Sequence, residues 1–217
     1  ANLCKGNAST SNWVSLGWSQ IIEHVQKNPD QASIIEEDDG TPLHLACSMN
    51  APFNVIATIL SANPSALKTR DTASNNLPIH NAVYQHAPLQ VLKHLIDRHP
   101  SVLEAEANGD EQPLVHGGVR VKNRYGWLPM HYACGHGKQS LLVVSILYQL
   151  YPNGVYSPDA NGLTPCHWAM EYQSEDVIKF LLSTDQNIAQ LRCNNNTILL
   201  HRVFFGPVGF ANHKFKL

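Results

Sequence analysis

Paired apolar positions recur one helical turn apart along the chain. Val55-Ile56 is answered by Ile59-Leu60, Val91-Leu92 by Leu95-Ile96, and Val177-Ile178 by Leu181-Leu182. Pairs four residues apart share one face of a helix, so each segment reads as an amphipathic helix with a stripe to bury. Pro52 and Pro88 stand where two of these helices begin, and Pro64, Pro100 and Pro152 are expected to end helices of the same kind. Polar, extended segments such as "KTRDTASNN" from Lys68 follow them. A second, shorter helix is expected before each long one, because Thr or Leu precedes Pro there. Thr suits the cap and Pro the first helical position.

That short helix carries a motif. "TPLHLAC" at Thr41 recurs as "LPIHNAV" at Leu77, "LPMHYAC" at Leu128 and "TPCHWAM" at Thr164, with a looser "ILLHRVF" at Ile198. The motif histidines His44, His80, His131, His167 and His201 are spaced by 36, 51, 36 and 34 residues. The closing prolines Pro29, Pro64, Pro100 and Pro152 are 35, 36 and 52 apart. Two markers share one period and one interruption, which establishes an internal repeat of helix, loop, helix and extended finger.

Thr-Pro-Leu-His-x-Ala, two short helices and a period near 33 residues resemble the ankyrin repeat. The likeness covers about 18–205, with an N-terminal extension at 1–17 and a tail at 206–217. It implies an all-α solenoid of about four full repeats with a partial one at each end. In "WSQIIEHVQKNPDQA" a second helix stands without its first. The usual "GHxE" between helices is replaced by "MNAPFN" and "QHAPLQ", and "GAD" by "NPSA", "HPSV" and "YPNG".

Recurrence of one histidine in one context argues against catalysis, which needs a single histidine with its own nucleophile or carboxylate. A metal reading of His131, Cys134 and His136 lacks a fourth ligand. The resemblance implies instead that each histidine is held by the motif Thr hydroxyl and neighbouring backbone. Leu77 and Leu128 remove that hydroxyl from two repeats.

Fifteen Lys and Arg against seventeen Asp and Glu give a formal charge of −2, which leaves no basic surplus for nucleic acid. No apolar run approaches the roughly 20 residues of a membrane span. Five scattered cysteines suit free thiols in a reducing compartment, so a cytoplasmic or nuclear protein is expected. No cofactor motif appears.

Ankyrin solenoids bind other proteins through the exposed face of finger tips and first helices. By register with the motif histidine, the resemblance assigns that role to Tyr84, Gln85, Arg124, Tyr125, Trp127, His136, Leu163, Glu171 and Tyr172. Tyr84, Tyr125, Trp127, Leu163 and Tyr172 are expected to form an apolar strip around Trp127; inward folding of Trp127 or Leu163 is the alternative. Glu37 and Asp38 make an acidic first finger. The finger before Leu128 holds fifteen extra residues, near 105–121, read as a hairpin of opposite charge or a plain surface loop. The expected protein is a monomeric, non-catalytic binding scaffold for a protein partner. The alternative is the targeting module of a larger ligase or kinase.

Overall fold

The computed structural model describes residues 17–36, 40–98, 117–135, 141–172 and 175–192. The chain divides into two bodies, Ala1–Arg124 and Tyr125–Leu217.

In the first body the described helices are α1 (Trp18–Lys27), α2 (Pro42–Ser48), α3 (Phe53–Ala62), α4 (Pro78–Tyr84) and α5 (Leu89–Asp97). Short helices α2 and α4 pack on each other, while α3 packs on α1 and on α5, giving two layers. The paired apolar positions explain the second layer. Val55, Ile56, Ile59 and Leu60 of α3 are all buried, as are Val91, Leu92, Leu95 and Ile96 of α5. Fully burying each such side chain is worth about 1.5–3 kcal/mol, which a lone repeat cannot realise. α1 lies in that layer against α3 and buries Ile21 and Val25.

The second body repeats the scheme with α6 (Pro129–Gly135), α7 (Leu141–Leu150), α8 (Pro165–Tyr172) and α9 (Glu175–Thr184). α6 packs on α8 and α7 on α9. The apolar pairing weakens in α9. Val177 and Leu181 are buried there, whereas Ile178 and Leu182 are only half-buried.

Where extended chain was expected directly after the closing prolines, the structure interposes a 3₁₀ turn. Such turns run Pro29–Ser33, Pro64–Lys68 and Pro152–Tyr156. Proline sits at their first position, and each buries small or aliphatic residues: Ala32, Ala66 with Leu67, and Val155. The loops that depart from the usual "GHxE" solve their turn with a non-glycine residue. Asn50 and His86 take the left-handed conformation at φ 53° and 58°. Asn, Asp and His are the non-glycine residues that enter this region most readily.

Candidate functional site

Each described motif histidine begins from the same local geometry. It is the third residue of its short helix, and its ring turns back over the residue before that helix. Nδ1 accepts the backbone N–H of that residue: Thr41 at 3.2 Å, Leu77 at 3.0 Å, Leu128 at 2.9 Å and Thr164 at 3.2 Å. Thr41 and Thr164 add a hydroxyl donor to Nδ1 at 2.9 Å. Leu77 and Leu128 have none to give, yet His80 and His131 keep the backbone bond. Histidine thus does here what Glu or Gln does at this position in a capping box.

On the other side of the ring, His44 Nε2 donates to the carbonyl of Asn76 at 3.1 Å and His80 Nε2 to that of Val121 at 3.0 Å. A carbonyl only accepts, so Nε2 carries the proton and Nδ1 remains the acceptor. All four rings are fully buried. Burial pulls the His44 pKa below its ordinary value, against the opposing pull of the Asn76 carbonyl, Asp71 and the Thr69 carbonyl. His44 and His80 join short helix to finger through neutral rings. The rings of His44 and His80 are spent on backbone, which is why they offer no ligand or general base.

Fingers are also laced to each other. In the first body Asn123 Nδ2 donates to Asn76 Oδ1 at 2.9 Å, and Arg124 N–H to the Ser74 carbonyl at 2.9 Å. Asp71 Oδ1 accepts the N–H groups of Ser74 and Asn76, closing the turn between them. In the second body Ala160 N–H donates to the Tyr125 carbonyl at 3.0 Å. Gly126 takes φ +75° at that contact, and a Cβ there would lie 2.9 Å from Ala160 N.

An aromatic cluster stands beside it. Trp127 lies 4.8 Å from Trp168 and 4.9 Å from Tyr132, ring centre to ring centre, and stacks on His131 at 6.2 Å. Trp168 stacks on Tyr172 at 5.9 Å. Both indole N–H groups converge on one oxygen, Asp159 Oδ2, at 3.1 and 3.2 Å. Oδ1 accepts the N–H groups of Asn161 and Leu163 at 2.8 and 2.9 Å. A buried carboxylate with four N–H donors is satisfied without a cation.

This geometry corrects part of the expected surface. Trp127 and Leu163 are 6% and 4% exposed, so neither presents an apolar centre to a partner. The reason is a shared register. Gly126 and Gly162, like Asn75 in the first body, take positive φ, and the next residue (Trp127, Leu163 or Asn76) swings under the finger. Tyr125 and Tyr172 do face solvent, at 41% and 48%. Arg124 is exposed, while Tyr84, Gln85 and Glu171 are half-buried. His136 lies outside the described residues, as do Glu37, Asp38, His201 and most of the inserted finger. Trp168 was not among the expected surface residues; it is half-buried, and Tyr132, its counterpart one residue after the motif histidine, is buried.

A family model described as ankyrin repeats, in three copies, matches residues 79–195, just over half of the chain. The chain belongs to the ankyrin repeat family. Its fold is accordingly an all-α repeat solenoid, and ankyrin repeats as a class mediate contacts between proteins. No curated protein matches the chain.

Among the described residues no three His, Cys, Asp or Glu side chains converge as metal ligands. Cys47, Cys134 and Cys166 are buried thiols. Burial raises the pKa of all three, that of Cys166 to about 12, which disfavours the thiolate that nucleophilic chemistry requires. No described helix is long and apolar enough to cross a membrane.

Proposed function

We propose that this ankyrin array binds a partner protein through its finger tips and the exposed side of its short helices, without catalysing a reaction. The observation that carries the reading is the pair Tyr125 and Tyr172, large aromatics left in solvent on backbone that is already fixed. Tyr125 stands on a finger whose carbonyl is bonded to Ala160, and Tyr172 is stacked on Trp168. Aromatics held this way order little on binding and offer apolar area with a polar tip, the usual make-up of an interface hot spot. Half-buried Glu171, next to Tyr172 in the same body, supplies a polar neighbour. The cysteine chemistry supports an intracellular, reducing setting.

Affinity capture from a native cell lysate tests the reading. The intact chain is compared with Tyr125→Ala/Tyr172→Ala, shown by circular dichroism to be folded. A protein held by the first and lost by the second is the expected result. The same proteins held by both would refute the assignment of this surface.

A further inference from the structure

Asp159 is a buried carboxylate whose contacts leave its charge standing. Oδ1 accepts the N–H groups of Asn161 and Leu163, and Oδ2 accepts the indole N–H groups of Trp127 and Trp168. These donors fill the lone-pair sites of both oxygens, which leaves no place for a proton, so the group is ionised. Every donor is neutral, and among the described residues no Lys or Arg pairs with it. Hydrogen bonds stabilise this charge without cancelling it.

The charge lies against an aromatic shelf. Trp168 and Tyr172 stand one turn apart on α8, so their rings share one side of the helix. The rings stack with centres 5.9 Å apart and planes 18° from parallel. Trp168 touches the carboxylate through its N–H, at 3.2 Å, and Tyr172 through its ring. With every neighbour in place, Trp168 is half-buried and Tyr172 is 48% exposed. Two features make this surface select a cation. An indole whose N–H donates to an anion is polarised toward an electron-rich ring, as linked hydrogen-bonding groups polarise one another. The Asp159 charge also begins one ring-width away, inside the roughly 10 Å over which physiological salt leaves a field unscreened. Both indole N–H groups are spent on Asp159, so the shelf offers ring surface and negative field, with no indole donor for a peptide carbonyl.

We propose that the Trp168–Tyr172 shelf seats an arginine side chain of a partner protein. Guanidinium is planar and weakly hydrated and stacks on aromatic faces, whereas a lysine ammonium holds its water more tightly. An apolar side chain would gain the ring area but nothing from Asp159. The inference rests on the reading of Tyr172 as part of the binding surface and names the partner's chemistry there.

Proton–nitrogen correlation spectra of the purified chain test it, with the Trp168 indole signal followed as acetyl-Gly-Arg-Gly-amide is added. Peptides with citrulline or leucine in place of arginine serve as neutral controls at matched ionic strength. A saturating shift is expected over about 1–50 mM arginine peptide, as suits a single side-chain contact. Binding should weaken as salt rises from about 50 to about 300 mM. Citrulline and leucine peptides should bind about fivefold more weakly or worse. Tyr172→Phe keeps the ring and should stay within about twofold of wild type, whereas Tyr172→Leu keeps apolar bulk and should lose about fivefold or more. Asp159→Asn should lose about threefold or more. Because that variant also disturbs a buried clasp, the two Tyr172 variants, on an exposed side chain, carry the test if it does not fold. Equal binding of the citrulline peptide, tighter binding of the leucine peptide, wild-type affinity in Tyr172→Leu, or no saturable shift would each overturn the proposal. Lysate capture reads the same surface whatever its chemistry. A partner lost there by Tyr125→Ala/Tyr172→Ala, together with failure of the arginine peptide here, would refute the arginine and leave the binding surface standing.

Discussion

Replacing His44 by alanine removes a fully buried ring that serves two backbone groups at once. The two losses are unequal. The Thr41 N–H and hydroxyl are left inside the fold without their shared acceptor, which costs about 1–3 kcal/mol. The Asn76 carbonyl still receives Asp71 N–H at 2.9 Å, so there only a net bond of about 1 kcal/mol disappears. Together these come to about 2–4 kcal/mol, a large share of the roughly 5–15 kcal/mol that holds an ordinary domain. In urea, at a slope of about 2 kcal/mol per molar, the unfolding midpoint followed by circular dichroism falls by about 1–2 M. His44→Leu separates hydrogen bonding from packing, since leucine fills most of the ring's volume and satisfies neither group. It is expected to retain most of the loss. A His44→Leu protein that unfolds at the wild-type midpoint would refute the reasoning and make the histidine a mere filler.

The same residue sets a pH dependence. The pKa of His44 is lowered in the fold, so its contribution is fully present above about pH 6.5, the unfolded value, and declines as pH falls below it. Urea midpoints should drop more between pH 7.5 and 5.5 in the wild type than in His44→Leu; an equal drop contradicts this. Asp159→Asn keeps the shape but turns an amide N–H₂ toward either two indole donors or two backbone donors. It should cost about 1–3 kcal/mol and change tryptophan fluorescence, and a wild-type midpoint would count against the four-donor description. Trp127→Ala should destabilise the second body by about 3–5 kcal/mol, as truncating a buried tryptophan does; retention of the wild-type urea midpoint would place it at the surface after all. Gly126→Ala combines φ +75° with a Cβ 2.9 Å from Ala160 N, so a loss of about 1–3 kcal/mol is expected in the same assay, against none if the finger can shift freely.

The repeat was legible because its markers are local. A histidine three residues into a proline-started helix locates every described short helix of the motif, and apolar pairs one turn apart locate three of the four long helices that follow. They also announce the buried histidines, since a polar group recurring on a buried face must have recurring partners. The partners themselves were only half legible. The Thr hydroxyls of Thr41 and Thr164 are in the motif, but the donor common to the four described repeats is a backbone N–H, which no side chain advertises. That is why His80 and His131 keep their bond although Leu77 and Leu128 replaced Thr.

The candidate surface was harder to read. Counting back from the histidine identifies finger residues but not their direction. One left-handed residue, Gly126 or Gly162, rotates the next side chain from the tip to the core, so Trp127 and Leu163 are buried while Tyr125 is not. The clasp on Asp159 joins residues from two fingers and a helix, 32 and 9 positions apart, and such a meeting appears only once the repeats are stacked.

The most direct test of the binding surface is site-specific photo-crosslinking in a native lysate. Tyr172 is replaced by p-benzoylphenylalanine in an otherwise intact chain, and Lys27, exposed at the end of α1 in the second-helix layer, serves as the comparison position. A protein crosslinked from position 172 and not from position 27 is the predicted result. Crosslinks from position 27 alone, or the same products from both, would contradict a binding face made by the fingers and short helices.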